Sequence, residues 1–332
     1  MELLDTIIWI ITGKCNLNCK HCYASVYRMK KELPTSRVLE VIQEAADLGV
    51  RHINYTGGEP LLHKDIFKIL EHTIDNDIYA TLFTNLTLLN ENITDRLSKL
   101  DVGVYTSIDA PLEDIVNEIR GLDVWERTIK GLKMLLSAEI YPHVNITVSE
   151  LNWRIVGDTI RFILDMGIRS ISIIPAMPIG NALKNKVFIS SEHFREAVKQ
   201  ASQVADEEKV TVSIWCTPFA AALTESTHVR YGNCRNWNVL DITPGGGIVL
   251  CDVLNIEVSN IREKSLREAY EDMLAHPLYS KIVNPNLKNP CNVCFLKNFC
   301  QGGCYARAYI LTGEIDNPDP LCPYVANRNV QQ

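Results

Sequence analysis

Apolar positions along the first two-thirds of the chain switch repeatedly between two rhythms. Residues 6–12 (TIIWIIT) form an unbroken apolar run of strand length. Residues 35–48 repeat instead at Val38, Ile42, Ala45 and Leu48, a helical spacing, with Thr35 placed as N-cap and Gly49 as a stop. The alternation continues: strands over 51–55, 79–84, 102–108, 144–148 and 170–174, and helices over 65–74, 93–100, 124–136 and 154–166. Residues 175–187 carry two prolines, a glycine and no period, and are expected to be a long loop. A helix over 190–207 capped by Ser190 and a strand over 210–215 follow. Strand and helix alternating through short connections predict consecutive βαβ units, an α/β fold on a parallel sheet.

Two motifs interrupt this pattern. Cys15, Cys19 and Cys22 stand directly after the first strand, spaced C-x3-C-x2-C. Zinc ordinarily takes four protein ligands, often as paired C-x2-C knuckles. Three clustered thiolates instead suit a cubane iron–sulfur cluster with one iron free to bind a substrate or cofactor. Gly57-Gly58-Glu59-Pro60 follows the second strand. The competing explanation is a zinc or disulfide-stapled loop beside an unrelated glycine turn.

The two motifs in this order resemble the radical S-adenosylmethionine (SAM) superfamily. The resemblance implies a partial (β/α)6 barrel of TIM type, with ligands at the carboxyl ends of the strands. It implies a 4Fe–4S cluster on Cys15, Cys19 and Cys22, and SAM with its methionine end on Gly57, Gly58, Glu59 and Pro60. Ser107, in Ser107-Ile108-Asp109-Ala110, matches a strand end that touches SAM in relatives, many of which have Gly at the last place. Arg120-Gly121 resembles a later Arg-Gly pair; Arg120 is a candidate partner for a carboxylate or a surface charge. Asn85 and Ser149 either cap a helix or touch cofactor. His21 and Tyr23 flank the last thiol and either pack on adenine or cover the cluster loop.

Eight of the eleven cysteines lie from Cys216 onward. Cys234-x11-Gly246-x4-Cys251, then Cys291-x2-Cys294-x5-Cys300-x3-Cys304, then Cys322, resembles the seven-cysteine SPASM extension of radical SAM enzymes, which holds two auxiliary 4Fe–4S clusters. Family usage would put Cys234, Cys251 and Cys304 on the first and Cys291, Cys294, Cys300 and Cys322 on the second. The first then has an open iron, or Cys216 fills it; otherwise Cys216 is a buried cysteine at a strand end. Paired zinc knuckles are the alternative, although seven ligands divide poorly into two four-coordinate sites. The division expected is 1–215 for the barrel and 216–332 for the cysteine-rich iron–sulfur extension. Within the latter, a hairpin is expected over 241–250 and a helix over 266–274.

Composition narrows the setting. The 332 residues are 46% hydrophobic and 22% charged, enough for a large core. A net charge of −7 without a basic patch disfavours nucleic acid. The chain has no apolar run of membrane-span length and opens without a basic signal-like segment. An odd cysteine count in such a chain argues for metal over disulfides, and a cytoplasmic location is expected.

Three functions are compatible with these residues. The first is reductive cleavage of SAM to a 5′-deoxyadenosyl radical that abstracts hydrogen from a peptide or protein, with an external one-electron reductant of flavodoxin or ferredoxin type. Here Cys15 stands close to the first residue, so a separate carrier protein is expected in place of a leader-binding domain. The second is modification of a tetrapyrrole, because the ending from Gly302 to Tyr309 and from Asp319 to Cys322 resembles enzymes of haem d1 and alternative haem synthesis. The third, from another class, is an iron–sulfur electron carrier, against which the Gly57–Pro60 element argues.

Overall fold

The alternation is present in the computed structural model, which describes residues 4–236 and 238–329. The first half runs β1 (Thr6–Thr12), α1 (Thr35–Asp47), β2 (His52–Gly57), α2 (Ile66–Asp75), β3 (Tyr79–Phe83), α3 (Glu91–Leu100) and β4 (Gly103–Ser107). It continues with α4 (Glu113–Arg120), α5 (Val124–Ser137), β5 (His143–Val148), α6 (Val156–Asp165) and β6 (Ile171–Pro175). Next come α7 (Gly180–Asn185), α8 (Ser191–Glu208), β7 (Val212–Ile214), β8 (Val229–Tyr231), β9 (Val239–Ile242), β10 (Gly247–Val249) and β11 (Glu257–Asn260). The end is helical: α9 (Leu266–Ala275), α10 (Pro277–Val283), α11 (Lys297–Cys300), α12 (Tyr305–Thr312) and α13 (Pro323–Asn329).

All strands join one sheet in the order β11-β10-β9-β1-β2-β3-β4-β5-β6-β7-β8. From β9 through β1 to β8 every neighbour is parallel; β10 runs antiparallel between β9 and β11. The order is linear, so this is an open, partial barrel. The hairpin expected over 241–250 is β9–β10, and β9 also pairs with the far edge of β1. Chain beyond residue 216 therefore extends the same sheet at both ends.

The two sheet faces differ because alternate strand residues point opposite ways. Ile7, Trp9, Ile53, Tyr55, Leu82, Val104, Val144, Ile146, Ile173 and Val212 turn outward and share one buried core with Val41 and Ile42 of α1 and Ile69 and Leu70 of α2. Burying each large apolar side chain contributes about 1.5–3 kcal/mol. The other face looks into the lumen and is polar and aromatic. There His52 Nε2 meets Thr81 Oγ1 at 3.1 Å, and Thr81 also bonds Asn54. Phe83, Tyr105, His143 and Trp215 stack in sequence, with centroid separations of 4.5, 4.7 and 5.2 Å.

Two local expectations are corrected. Thr35 is the first helical residue, not the cap; Pro34 precedes it and the Thr35 hydroxyl donates to Asp65 instead. The stretch 175–187 is not all loop: Gly180–Asn185 forms α7, seated on the cysteine loop by tertiary bonds that no local period reveals. Ser190 caps α8 as expected, accepting from His193 N.

Candidate active site and cluster centres

The loop carrying Cys15, Cys19 and Cys22 leaves β1 at the carboxyl end of the sheet. Its polar backbone is bonded from outside. Lys20 N donates to Ile119 O at 2.7 Å, and Arg28 Nη2 to Leu17 O at 2.7 Å. From α7, Asn181 Nδ2 donates to Cys19 O and Asn185 Nδ2 to Lys20 O, both at 3.0 Å. The three thiols stay half-buried, close enough for each charge to bear on the others. Burial pushes the Cys19 thiol up to about 12.

Asp109 anchors this loop. Its carboxylate is wholly buried; Oδ2 meets His21 Nε2 at 2.8 Å and Arg120 Nε at 2.7 Å, and Oδ1 accepts from Thr147 N. Burial opposes its ionisation, but the Arg120 guanidinium and His21 hold it well below the usual carboxylate range. Arg120 is thus not a surface charge: it lies 8% exposed, with Nε on Asp109. His21 is spent on the same carboxylate. Tyr23 reaches the opposite way, its hydroxyl donating to Asp252 Oδ2 at 2.6 Å.

The Gly57–Pro60 turn packs on the exit of β1. Gly58 N donates to Thr12 O at 2.8 Å and Glu59 N to Lys14 O at 2.7 Å. Gly57 has φ +152°, and a Cβ on Gly58 would collide with Lys14 O. The glycines are therefore required by the approach of two backbones. Glu59 is fully buried: Oε1 accepts from Leu61 N and Oε2 from Asn85 N. Burial pushes its carboxyl up to about 7. The Glu59 carboxylate thereby straps the end of β2 to the end of β3. Pro60 is buried and opens a 3-10 turn. The Asn85 side chain accepts from Thr87 and donates to Asn16 Oδ1, inside the cysteine loop. The Asn152 amide satisfies Ser149. Ser107 closes β4 opposite Asn145, on the lumen face.

The C-terminal thiols gather from distant sequence. All eleven cysteines are free. Cys291, Cys294, Cys300 and Cys322 line a single cavity of ≈ 580 Å³. Cys216, Cys234, Cys251 and Cys304 form a second group whose charges bear on one another. The two groups are joined by a buried pair that the sequence did not single out. Arg307 donates to both Asp319 oxygens, through Nε at 2.8 Å and Nη2 at 2.7 Å. Asp319 in turn accepts from Cys304 N and Leu321 N, and its carbonyl from Cys322 N.

Residues 9–178 match the model of the Radical SAM superfamily. The chain belongs to that superfamily. Over 339 residues it is 28% identical to the AdoMet-dependent heme synthase of Methanosarcina barkeri, covering 96% of each chain. It is 26% identical over 330 residues to the PqqA peptide cyclase of Bradyrhizobium diazoefficiens, covering 94% of this chain and 84% of that one. Streptococcus suis SuiB, solved with its precursor peptide SuiA, superposes with a TM-score of 0.79 at 20% identity, over 96% of this chain and 75% of that chain.

Radical SAM proteins use a 4Fe–4S cluster and SAM, and the residues here fit iron–sulfur clusters better than zinc. A tetrahedral zinc holds its sulfurs about 3.8 Å apart. Among the described residues the set of three potential ligand atoms within 4.8 Å is Asp241, Cys251 and Asp252, so each cysteine group is spread more widely than a single zinc requires. A buried cation adds that the site is built around bound negative charge, which either kind of metal–thiolate group would supply. Arg235 is 2% exposed beside Cys234; Nη1 donates to Ile282 O, while buried Nε lacks a partner among the described residues. A positive charge so placed needs a negative one nearby, which a thiolate-bound cluster supplies. No helix among the described residues is long and apolar enough to cross a membrane.

Proposed function

We propose that this radical SAM enzyme modifies a peptide or protein by hydrogen abstraction. In this reading Cys15, Cys19 and Cys22 hold the SAM-binding cluster; Cys234, Cys251 and Cys304 belong to a first auxiliary cluster, and Cys291, Cys294, Cys300 and Cys322 to a second. When bound and reduced, the first cluster and SAM supply a 5′-deoxyadenosyl radical. The chain's own residues orient and enclose. The Gly57–Pro60 backbone and Ser107 border the SAM site, while Glu59, Asn85, Asp109 and Arg120 hold that border in place. A barrel mouth closed during turnover would keep solvent from a reactive intermediate. A flavodoxin- or ferredoxin-type reductant supplies the electron.

The observation that carries the peptide reading is the charge of the lumen. Its strand positions from β1 to β7 include Ile8, Ile10, His52, Asn54, Thr81, Phe83, Tyr105, Ser107, His143, Asn145 and Ser172, with no lysine or arginine. Burial pushes His143 down to about 4 and His52 also downward, so both are neutral at pH 7. Asp241 adds an acid on the same face of β9, opposite Ile8. Amide and hydroxyl groups in a lumen without lysine or arginine match peptide amides; carboxylate-bearing tetrapyrroles would find no cation on these strands.

The tetrapyrrole reading is favoured by the 28% identity to a heme synthase along the full chain. Anaerobic reconstituted protein with dithionite, SAM and either candidate peptides or porphyrins separates the two. Peptide-stimulated release of 5′-deoxyadenosine, with a mass change on the peptide, is expected. Stimulation by porphyrins alone would reverse the choice. No 5′-deoxyadenosine under any condition would leave only an electron carrier.

A further inference from the structure

Three thiols leave one corner of the first auxiliary cluster unassigned. If that corner is open, the cluster can bind substrate directly; if a protein group closes it, substrate must be held by the lumen alone. Cys216, Asp241 and Asp252 stand near it. Asp252 is engaged through both oxygens, Asp241 through one. Asp252 Oδ2 accepts from Tyr23, and its Oδ1 lies 3.7 Å from the Cys251 thiol. Asp241 Oδ2 accepts from Asp252 N, which leaves Oδ1 as its one unpartnered oxygen.

Cys216 is placed differently. It follows β7, on the barrel side, and takes φ 53°, a conformation unusual for cysteine, which turns the chain abruptly at the strand end. One residue secures it to the cluster loop. Arg307 Nη2 donates to Cys216 O at 3.0 Å, and Arg307 N donates to Cys304 Sγ at 3.5 Å. The Cys216 thiol is half-buried, and Cys304 and Cys234 are the thiols nearest in effect. Soft thiolate is also the better iron–sulfur ligand than carboxylate.

We infer that Cys216 is the fourth ligand of the first auxiliary cluster, so that no iron there is open to substrate. The inference rests on the reading that Cys234, Cys251 and Cys304 hold a 4Fe–4S cluster. It makes the barrel itself a ligand donor: β7 delivers one thiolate, and the extension delivers three.

The test uses full-length protein carrying Cys15→Ala, Cys19→Ala and Cys22→Ala, which removes the first cluster. Anaerobic reconstitution should give about eight irons per chain. Its reduced electron paramagnetic resonance spectrum should be unchanged by cyanide, a small probe for an open iron. Adding Cys216→Ala should produce a cyanide-sensitive or three-iron signal. A cyanide-sensitive parent, or a Cys216→Ala spectrum identical to the parent, overturns the inference; a shift on Asp241→Asn instead names its replacement. If Cys216→Ala does not fold, alkylation decides. Cys216 in the cluster-loaded parent should resist iodoacetamide until iron is chelated, and immediate labelling overturns the assignment. Only about four irons in the parent would sink the three-cluster reading, and this inference with it.

Discussion

The two cysteine regions solve one problem at different ranges. The N-terminal loop gathers three thiols within eight residues, and neighbouring elements bond its backbone carbonyls. The C-terminal region gathers its thiols across residues 216 to 322, with several turns and short helices between them. Yet each is secured by one buried Asp–Arg pair, Asp109–Arg120 in the first and Asp319–Arg307 in the second. The difference lies in what else holds. Around Asp109, α7, Arg28 and Ile119 also grip the loop. Around Asp319, the carboxylate itself joins Cys304 to Arg307, and through Arg307 to Cys216. A local site can lose one restraint; a site assembled from afar depends on the restraint that joins its parts.

The largest effect should come from breaking that joint. Asp319→Asn leaves Arg307 buried without its counter-charge, at a cost of about 3–5 kcal/mol in urea denaturation. Iron should fall from roughly twelve per chain to about four, since both auxiliary groups hang on the pair. Asp109→Asn should cost less, about 3 kcal/mol, because the bonds from α7, Arg28 and Ile119 remain. It should remove only the N-terminal cluster and leave about eight irons. If the two variants lose iron equally from both regions, the contrast between local and assembled sites fails.

The same contrast explains what was legible beforehand. Strand and helix periods predict β1 to β7 and, of the helices among them, α1, α2, α3, α5, α6 and α8, because each rests on local amphipathic spacing; α4 and α7 are not among them. Cys15, Cys19, Cys22 and the glycine turn were legible because their partners lie within one motif. The sequence leaves Arg120 two roles because nothing local reveals that α4 carries it to Asp109. The clamp from α7 was missed for the same reason: Asn181 and Asn185 act only on a loop 160 residues away in sequence. Arg307 and Asp319 belong to a familiar-looking ending, but nothing local marks them as a buried pair. The glycines carry a second requirement that no motif spells out: Gly57 and Gly58 also let the turn meet the backbone of Thr12 and Lys14.

The lumen provides a smaller test, between the chemistry of the barrel wall and that of the cluster regions. His143 bonds Ser170 through Nδ1 at 2.8 Å and Ser172 through Nε2 at 2.7 Å, so a neutral ring uses one nitrogen to donate and one to accept. Burial holds its folded value at about 4, below the ordinary 6.5 of an unfolded chain. The unfolded state therefore binds the extra proton as pH falls between those values. Stability from this group is present above 6.5 and is lost on the way to 4. Between pH 7 and 5 the wild type should lose about 1–2 kcal/mol more than His143→Gln in anaerobic urea titrations. An identical slope in both would place the ring in water.

The smallest expected effect tests whether the two cysteine regions are coupled. Tyr23 directly follows Cys22, and Asp252 directly follows Cys251; their 2.6 Å hydrogen bond ties one thiol group to the other. Tyr27 adds a second tie, donating to Asp252 O at 2.5 Å. Tyr23→Phe removes the first and keeps the ring, so the net loss should be about 1 kcal/mol. Equilibrium stability alone would not distinguish this from any lost surface bond. The telling measurement is the rate of iron release to a chelator, followed separately for the N-terminal and auxiliary clusters by their spectra. With the bond intact, the two should be released together. In Tyr23→Phe the N-terminal cluster should leave first, because the hydroxyl that pins its loop to the extension is gone while Asp319 and Arg307 still hold the other side. Unchanged, simultaneous release would mean that Tyr27 or the shared β1–β9 pairing carries the coupling.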